Sequence, residues 1–180
     1  MPEGTTELVI NTGPMIALVA ALGDLTILDS LYERIIVPRE VADELTVDSV
    51  GRSAAKEFLD ANWLDKRAER IDVGPLLSSI LDSGEAAVIA TARLHGIDVV
   101  CIDESAGRRV ARMAGLRVTG SLGILLRAKR EGWPVEQPMV AGRMPAALGP
   151  AVPHASLPAS TRPLASRRLE NNGKNPSLGA

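Results

Sequence analysis

Four polar residues of this 180-residue chain stand where they could do chemistry together: Asn11, Glu44, Glu85 and Asp103. Asn11 and Asp103 each follow a short apolar run, and Glu44 and Glu85 lie in segments with helical patterns. Clustered carboxylates repel one another unless they are protonated or a cation lies between them. Oxygen ligands of this kind suit Mg²⁺ and Mn²⁺, which activate water for displacement at a phosphodiester. The residue types therefore suggest a metal site with hydrolytic chemistry.

Each of these residues also has an explanation that involves no chemistry. Asp82 and Glu85 have the spacing of a capping box at a helix start, and Asp103 can cap the helix that follows it. Glu44 is one of three acids on a short predicted helix, where a solvated position is common. Asn11 can adopt a turn conformation and hydrogen-bond its own backbone. Spacing alone leaves both interpretations open.

Residues 84–110 form the predicted helix–strand–helix segment that positions two of the acids, Glu85 and Asp103. Glu85 begins a predicted helix that is too apolar to lie on a surface. The run 99–102 is the unbroken apolar sequence expected of a strand covered on both faces. Asp103 follows this strand, and the carboxyl end of such a strand faces the crevice where open α/β sheets bind ligands.

Strands and helices alternate along the chain up to about residue 133. Strands are predicted at 7–10, 35–37, 99–102 and 116–118, and helices at 14–22, 25–31, 38–46, 53–62, 76–81, 83–95, 105–114 and 121–131. This alternation favours a mostly parallel central sheet in a three-layer α/β sandwich. Right-handed crossovers would bring the carboxyl ends of the strands, and hence Asn11 and Asp103, to one edge.

The composition indicates one folded domain followed by a tail. The chain is 46% hydrophobic but only 2% aromatic, which suits helices on a parallel sheet and lacks the rings of a base-stacking platform. Eight of the 12 prolines follow Trp133, where apolar periodicity also disappears. We therefore expect a domain over residues 1–133 and a proline-rich, disordered tail over residues 134–180.

The charge distribution limits how the domain could bind nucleic acid. The chain has 20 basic and 22 acidic residues, and five of the former and two of the latter follow Trp133, which leaves a net charge of −5 in residues 1–133. Such a domain needs local basic residues or metal ions to handle a phosphodiester. Arg108 and Arg109 are candidates for contact with a phosphate, although a solvated helix face is the commoner role.

The sequence also bears on the cellular compartment. Cys101 is the single cysteine, so no disulfide can form within the chain and no zinc site of the cysteine-pair type is possible. Residues 1–6 lack the pattern of a signal peptide, and no apolar run reaches membrane-spanning length. We therefore expect a soluble, cytoplasmic protein that does not bind a membrane.

Three stretches of the sequence resemble the PIN-domain family: VINTGPMIAL, IIVPREVADEL and the long segment from DSGEAAVIATARLHGIDVVCIDE to LRAKREG. The resemblance covers residues 7 to about 133. Within the family, the sequence is similar to a prokaryotic branch of predicted nucleic-acid-binding proteins related to VapC-type toxins. Members of this branch often have asparagine at the first acidic position, where this chain has Asn11.

The resemblance implies a fold and a site. PIN domains are three-layer α/β folds that gather acidic residues around one or two Mg²⁺ or Mn²⁺ ions and cleave RNA. The resemblance places the family's acidic positions at Asn11, Glu44, Glu85 and Asp103. It implies that Glu85 and Asp103 hold the principal metal, that Asn11 supplies a neutral oxygen, and that Glu44 is a further ligand or water contact.

The resemblance further implies contacts with substrate and partners. Thr12 falls where many members have a small hydroxyl residue beside the first acid, and Arg108 or Arg109 would hold the RNA backbone. Homodimerisation and an antitoxin protein as partner also follow from the resemblance alone. The residues after Trp133 do not resemble the C-terminal helices of the family.

Two functions are thus predicted. The first is a metal-dependent endoribonuclease that serves as the toxin of a toxin–antitoxin pair. The alternative is a PIN-like module that binds RNA or a protein partner without cleaving, because Asn11 lacks the negative charge of an acid and should weaken metal binding. A nucleotide- or cofactor-binding enzyme is less favoured, since neither GxGxxG nor GxxxxGK[ST] occurs.

Overall fold

The computed structural model describes residues 7–47 and 52–133 of the chain. The elements follow one another as β1 (Glu7–Ile10), α1 (Thr12–Leu22), α2 (Thr26–Leu31), β2 (Arg34–Val37), α3 (Arg39–Val47), α4 (Arg52–Asp60), β3 (Asp65–Lys66), α5 (Gly74–Ser78), α6 (Ser83–His95), β4 (Val99–Cys101), α7 (Ser105–Met113), β5 (Arg117–Thr119) and α8 (Ser121–Arg130). The predicted tail, residues 134–180, lies outside the described residues.

The five strands form one parallel sheet in the order β3-β2-β1-β4-β5. Val9 of β1 is level with Ile36 of β2, and Ile10 is level with Cys101 of β4. The residues that follow β1, β2 and β4 therefore emerge side by side at the carboxyl edge of the sheet. This confirms the predicted α/β fold with a parallel sheet.

The sheet is covered on both faces, which makes it the middle of three layers. Leu8, Val9 and Ile10 are consecutive in β1 and all fully buried. Successive side chains of a strand point to opposite faces, so helices must pack on both sides. Each buried isoleucine or leucine contributes roughly 1.5–3 kcal/mol to this packing.

Helix α6 lies within the core rather than on the surface. Its residues from Gly84 to Ile89 are all buried, and it packs against β1 and β4. This confirms the prediction from its apolar sequence, and it means that the first turn of α6 is held rigidly against the sheet. Within the described residues, no helix is long and apolar enough to cross a membrane.

Besides shifts of one or two residues at several other element ends, three details differ from the prediction. Strand β3 was not expected, because its two residues are polar and half-buried and carry no apolar pattern. Helix α1 begins at Thr12 rather than Pro14, since Pro14 also suits the third helical position, where the backbone needs no donor. Helix α5 covers Gly74–Ser78 instead of 76–81 and buries none of its residues.

Candidate active site

Asn11 lies at the carboxyl end of β1 and immediately precedes α1. Its backbone N–H donates to the carbonyl of Cys101 over 3.0 Å, which ties the ends of β1 and β4 together. The side chain is only 4% exposed and does not cap α1. Its Oδ1 atom is buried and accepts no hydrogen bond within the described structure. An unpaired buried oxygen costs about 1–3 kcal/mol, so the turn explanation for Asn11 does not account for its side chain.

Glu44 projects from α3 toward the starts of two other helices. Its Oε2 accepts from the hydroxyl of Thr12 over 2.6 Å, and its Oε1 accepts from the backbone N–H of Gly84 over 3.1 Å. The hydroxyl of Ser83 donates to the same Oε1 atom over 3.4 Å. Glu44 is therefore fixed between α1 and the positive end of α6, and it is not a solvated face residue.

Gly84 is the point where Asn11 and Glu44 meet. A Cβ atom at this position would lie 2.8 Å from Asn11 Oδ1 and 2.7 Å from Glu44 Oε2. Real Cβ contacts are not this short, so any side chain here would displace one of the two oxygens. The absence of a side chain at position 84 thus allows the amide of Asn11 and the carboxylate of Glu44 to share one small space.

Glu85 is 4% exposed at the start of α6. Its backbone N–H donates to Asp82 Oδ1 over 2.7 Å. Burial and the negative charges of Asp82 and Glu104 raise the pKa of Glu85, while the backbone N–H groups of Gly107 and Asp82 act in the opposite direction. The capping explanation is therefore correct as far as Asp82 is concerned.

Capping does not use all of the Glu85 side chain. Its Oε1 atom is buried and has no hydrogen-bond partner within the described structure. This oxygen lies directly against Gly107, so closely that a Cβ on Gly107 would overlap it. Glu85 thus resembles Asn11 in one respect: each has a buried side-chain oxygen that accepts no hydrogen bond of good geometry within the described structure.

Glu104 is an acid of this region that the sequence analysis did not select. Its Oε1 atom lies 3.0 Å from where a Cβ on Gly13 would be, and Gly13 is two residues from Asn11. The charge of Glu104 raises the pKa of Glu85. It directly precedes α7 but makes no capping hydrogen bond. The sequence did contain an indication of Glu104, namely that two acids, Asp103 and Glu104, are adjacent at the end of a strand. Successive residues of an extended backbone project in opposite directions, so the two side chains were expected on opposite sides.

Asp103 turns away from the other acids. Its Oδ1 atom accepts from the backbone N–H of Ser121 over 2.8 Å, and it lies 2.5 Å from the position of a Cβ on Gly120. The position of Asp103 in the sequence predicted a cap for α7. In the structure Asp103 instead accepts a hydrogen bond from the first residue of α8. Asp103 is exposed, unlike Asn11 and Glu85.

The three residues predicted to contact substrate have different surroundings. Arg108 Nη1 donates to the backbone carbonyls of Ile102 over 2.9 Å and Thr119 over 3.2 Å, so it joins the ends of β4 and β5. Arg109 is exposed. Thr12 uses its hydroxyl on Glu44. Of the three, Arg109 is the side chain with a surface position suited to an incoming phosphate.

The donors fit a divalent cation in kind but are not gathered into a complete ligand set. Within residues 7–47 and 52–133, no group of three or more His, Cys, Asp or Glu side chains could hold a metal ion. The oxygens of Asn11 and Glu44 meet at Gly84, whereas Glu104 lies against Gly13 and acts on Glu85 through its charge. The unpartnered oxygens of Asn11 and Glu85 are hard ligands of the type that Mg²⁺ and Mn²⁺ take.

The fold is that of an α/β protein, and these donors lie at the carboxyl edge of its parallel sheet, the edge where such sheets commonly bind ligands. A family model described as a PIN domain matches residues 7–141. The chain therefore belongs to the PIN-domain family, which confirms the resemblance at this level. PIN domains generally use divalent metal ions, and membership points to a nuclease-like function. No curated protein matches the chain, and its kinship with the VapC-related branch stays a prediction.

Proposed function

We propose that this protein is a metal-dependent ribonuclease of the PIN type. The observation that carries the proposal is the pair of buried, unpartnered oxygens on Asn11 and Glu85 at the carboxyl edge of the sheet. Leaving such atoms unpaired costs stability, and a bound cation would offset that cost. Two such oxygens at one edge of the sheet are suited to a ligand of positive charge.

Three side chains would hold the cation: Asn11, Glu44 and Glu85. Asp103 or Glu104, which are both exposed, would complete the set by a change of rotamer. A divalent ion held there would supply an activated water and would stabilise the charge that develops on the phosphodiester. Mg²⁺ and Mn²⁺ are the ions to test first.

The residues around these ligands have positioning roles. Thr12 orients Glu44 through the 2.6 Å hydrogen bond. Asp82 fixes the backbone of Glu85 by capping α6. Arg109 would contact the substrate backbone, whereas Arg108 keeps the ends of β4 and β5 in place. The neutral amide of Asn11 lowers the negative charge of the site by one relative to an aspartate, so weak cation binding is expected.

The test is cleavage of RNA by the purified full chain with Mn²⁺, Mg²⁺ or EDTA. We expect cleavage with a metal and none with EDTA. Glu85→Gln should reduce the rate by about 100-fold or more, the scale of losing one preorganised electrostatic contact. Glu131 is an exposed glutamate at the C-terminal end of α8, so the control variant Glu131→Gln should leave the rate of RNA cleavage unchanged. Cleavage that survives Glu85→Gln would refute the assignment.

A second candidate function is a PIN-like module that binds RNA or a protein without cleaving. Asn11 in place of an acid, together with the divided ligand set, favours this candidate. Asn11→Asp separates the two functions. If the wild type is inactive and the variant cleaves RNA, the natural chain is a binding module; if the wild type already cleaves, it is an enzyme.

The toxin role, the antitoxin partner, the homodimer and the cytoplasmic location are further parts of the proposal. A toxin of this type should arrest bacterial growth when it is expressed alone, and Glu85→Gln should relieve the arrest. Unimpaired growth with an active wild-type enzyme would argue against the toxin role. Light scattering of the purified chain tests the homodimer.

A further inference from the structure

Positive charge is concentrated in one part of the domain. Residues 105–130 contain seven basic residues and no acidic one, whereas residues 1–104 contain eight basic and 19 acidic residues. An uneven distribution of this kind creates a potential of opposite sign at the two parts of the surface. The domain is acidic on balance, yet one part of it should attract anions.

The structure brings these basic residues together at one side of the sheet. Residues 105–130 comprise α7, β5 and α8, and β5 is the outermost strand, next to β4. Helices α7 and α8 both pack against β5. The exposed surface of residues 105–130 is called the basic edge below. The charge division of the sequence is therefore also a division in space.

Two of the seven basic side chains are half-buried and have structural contacts. Arg108 donates to two backbone carbonyls at the ends of β4 and β5. Arg127 Nε lies 2.9 Å from Glu131 Oε1, and its guanidinium carbon lies 5.0 Å from the ring centre of Tyr32. These two arginines add to the local charge, but their guanidinium groups are already in use.

The other five basic side chains are exposed, and within residues 7–47 and 52–133 none of them has an ion pair or a side-chain hydrogen bond: Arg109, Arg112, Arg117, Lys129 and Arg130. Three of them, Arg112, Lys129 and Arg130, lie in the last turns of α7 and α8, where a cation also stabilises the helix. Arg109 and Arg117 have no such role. Their charges are unused by the fold.

The basic edge adjoins the candidate active site. Helix α7 begins at that site, because Gly107 lies directly against the carboxylate of Glu85. Arg109 follows Gly107 by two residues, and Arg112 lies in the last turn of the same helix, which is about 13 Å long. Arg117 begins β5 and is level with the first residue of β4, at the opposite edge of the sheet. The three arginines thus succeed one another away from the site.

We propose that the basic edge binds the phosphate backbone of RNA, with Arg109, Arg112 and Arg117 as its main contacts, and that the bound strand continues into the candidate active site. Contacts between arginine and phosphate supply affinity that does not depend on sequence. The choice of RNA over other polyanions rests on the proposed nuclease function.

Recognition of bases by stacking has no basis on this surface. Residues 105–130 contain no aromatic residue, and the aromatic rings elsewhere in the chain are buried or half-buried. Single-stranded nucleic acid is bound without sequence preference through phosphate contacts together with stacking on aromatic rings. With the phosphate contacts alone, binding should depend steeply on salt and little on the identity of the base.

The experiment is a fluorescence anisotropy titration of the full chain with labelled, single-stranded oligouridylate and oligocytidylate of equal length. EDTA prevents metal-dependent cleavage, and the titration is repeated over a range of salt concentrations. We expect similar affinities for the two oligomers and a linear fall of the logarithm of the association constant with the logarithm of the salt concentration. Glutamine at Arg109, Arg112 or Arg117 should each reduce the slope by about 0.7, and the triple variant by about 2.

Two control variants separate the basic edge from bulk charge and from folding. Arg52 is an exposed arginine of α4, which packs against α1 and α3, so Arg52→Gln removes the same charge elsewhere and should keep the wild-type slope. Arg117→Lys keeps the charge and should bind like the wild type. All of these residues are exposed, so the thermal midpoints should stay close to that of the wild type.

Three outcomes would overturn the proposal. The first is a triple variant that binds RNA with the wild-type slope. The second is an equal loss of slope in Arg52→Gln, which would mean that only bulk charge matters. The third is a wild type that binds no RNA but self-associates at low salt, as judged by light scattering, while the triple variant does not. The basic edge would then contact the acidic surface of a second copy.

The proposal and the nuclease function can fail separately. A chain that binds RNA with the expected slopes and cleaves none with Mg²⁺ or Mn²⁺ would refute the nuclease function and support the basic edge as an RNA-binding surface. A chain that cleaves RNA, and whose triple variant binds and cleaves it like the wild type, would refute the basic edge alone.

Discussion

Replacement of Gly107 by alanine should expose how tightly Glu85 is confined. Gly107 lies near the start of α7, with a backbone conformation that any residue can adopt. A Cβ there would overlap Glu85 Oε1, lie 2.8 Å from the carboxyl carbon of Glu85, and lie 3.0 Å from Cγ2 of Ile102. The carboxylate must therefore leave its buried position to make room for a single methyl group.

Two opposing effects set the magnitude. Alanine in place of glycine favours a helix by up to about 1 kcal/mol, whereas overpacking a buried site costs about 1–3 kcal/mol. We expect Gly107→Ala to lower the free energy of unfolding by up to about 2 kcal/mol in the wild-type background. In a Glu85→Ala background the overlap is gone, so the same substitution should be neutral or stabilising. The coupling energy between the two positions should be about 2 kcal/mol.

The measurement is urea unfolding of the wild type, both single variants and the double variant, followed by tryptophan fluorescence. The contact with Ile102 is present in both backgrounds and cancels in the cycle. If Gly107→Ala costs the same free energy with and without Glu85, the carboxylate does not lie against Gly107 and the geometry of the site is wrong. RNA cleavage by Gly107→Ala should fall along with the displaced carboxylate.

Three further predictions concern the same edge of the sheet. Burial, together with the charges of Asp82 and Glu104, raises the pKa of Glu85, so the folded state favours the protonated carboxyl. Wild-type stability, measured by urea unfolding, should therefore fall relative to Glu85→Gln as the pH rises from the ordinary glutamate value through the raised one. Asp103→Ala should cost about 1 kcal/mol in the same assay because Ser121 loses its cap, while Asp103→Asn keeps the acceptor and should cost less. Arg108→Ala should destabilise the fold by about 1–3 kcal/mol because the carbonyl of Ile102 loses the guanidinium donor, while that of Thr119 keeps the N–H of Ile102. Arg109→Ala should leave the stability unchanged and should weaken RNA binding together with its salt dependence.

Each of these has a result that would contradict it. A stability difference between the wild type and Glu85→Gln that stays flat with pH would mean that Glu85 is not buried. Equal losses for Asp103→Ala and Asp103→Asn would mean that the hydrogen bond to Ser121 is unimportant. A larger loss of stability for Arg109→Ala than for Arg108→Ala would reverse the roles assigned to the two arginines.

Much of the fold was predictable because its signals are local. The apolar run 99–102 is the pattern expected of a strand covered on both faces, and Gly23 and Gly96 mark helix ends with positive φ. Strand β3 escaped prediction because its pairing with β2 depends on the neighbouring strand and not on its own two residues. Elements that exist through tertiary contacts alone leave little trace in sequence.

The sequence predicted where in the fold the candidate site lies, but it predicted few of the contacts that its side chains make. Strand ends indicated Asn11 and Asp103, and the parallel sheet places both at one edge. The sequence could not show that Asp103 bonds to Ser121, because that contact joins residues 18 positions apart with α7 and β5 between them. It also gave no reason to prefer Glu44 over Glu40, which lie one turn apart on the same helix.

Backbone hydrogen bonds continue one residue past the ends of β1 and β4, so the candidate site has a rigid part and a more mobile part. The amide of Asn11 is held by Cys101, and that of Ile102 by Thr119, so both should exchange with deuterium only when the sheet itself opens. Asp103 and Glu104, by contrast, are exposed side chains on a short connection to α7. If an ion binds as proposed, Asp103 and Glu104 would therefore be the acids that move toward it, within the time of a rotamer change, while the backbone at the ends of β1 and β4 stays in place.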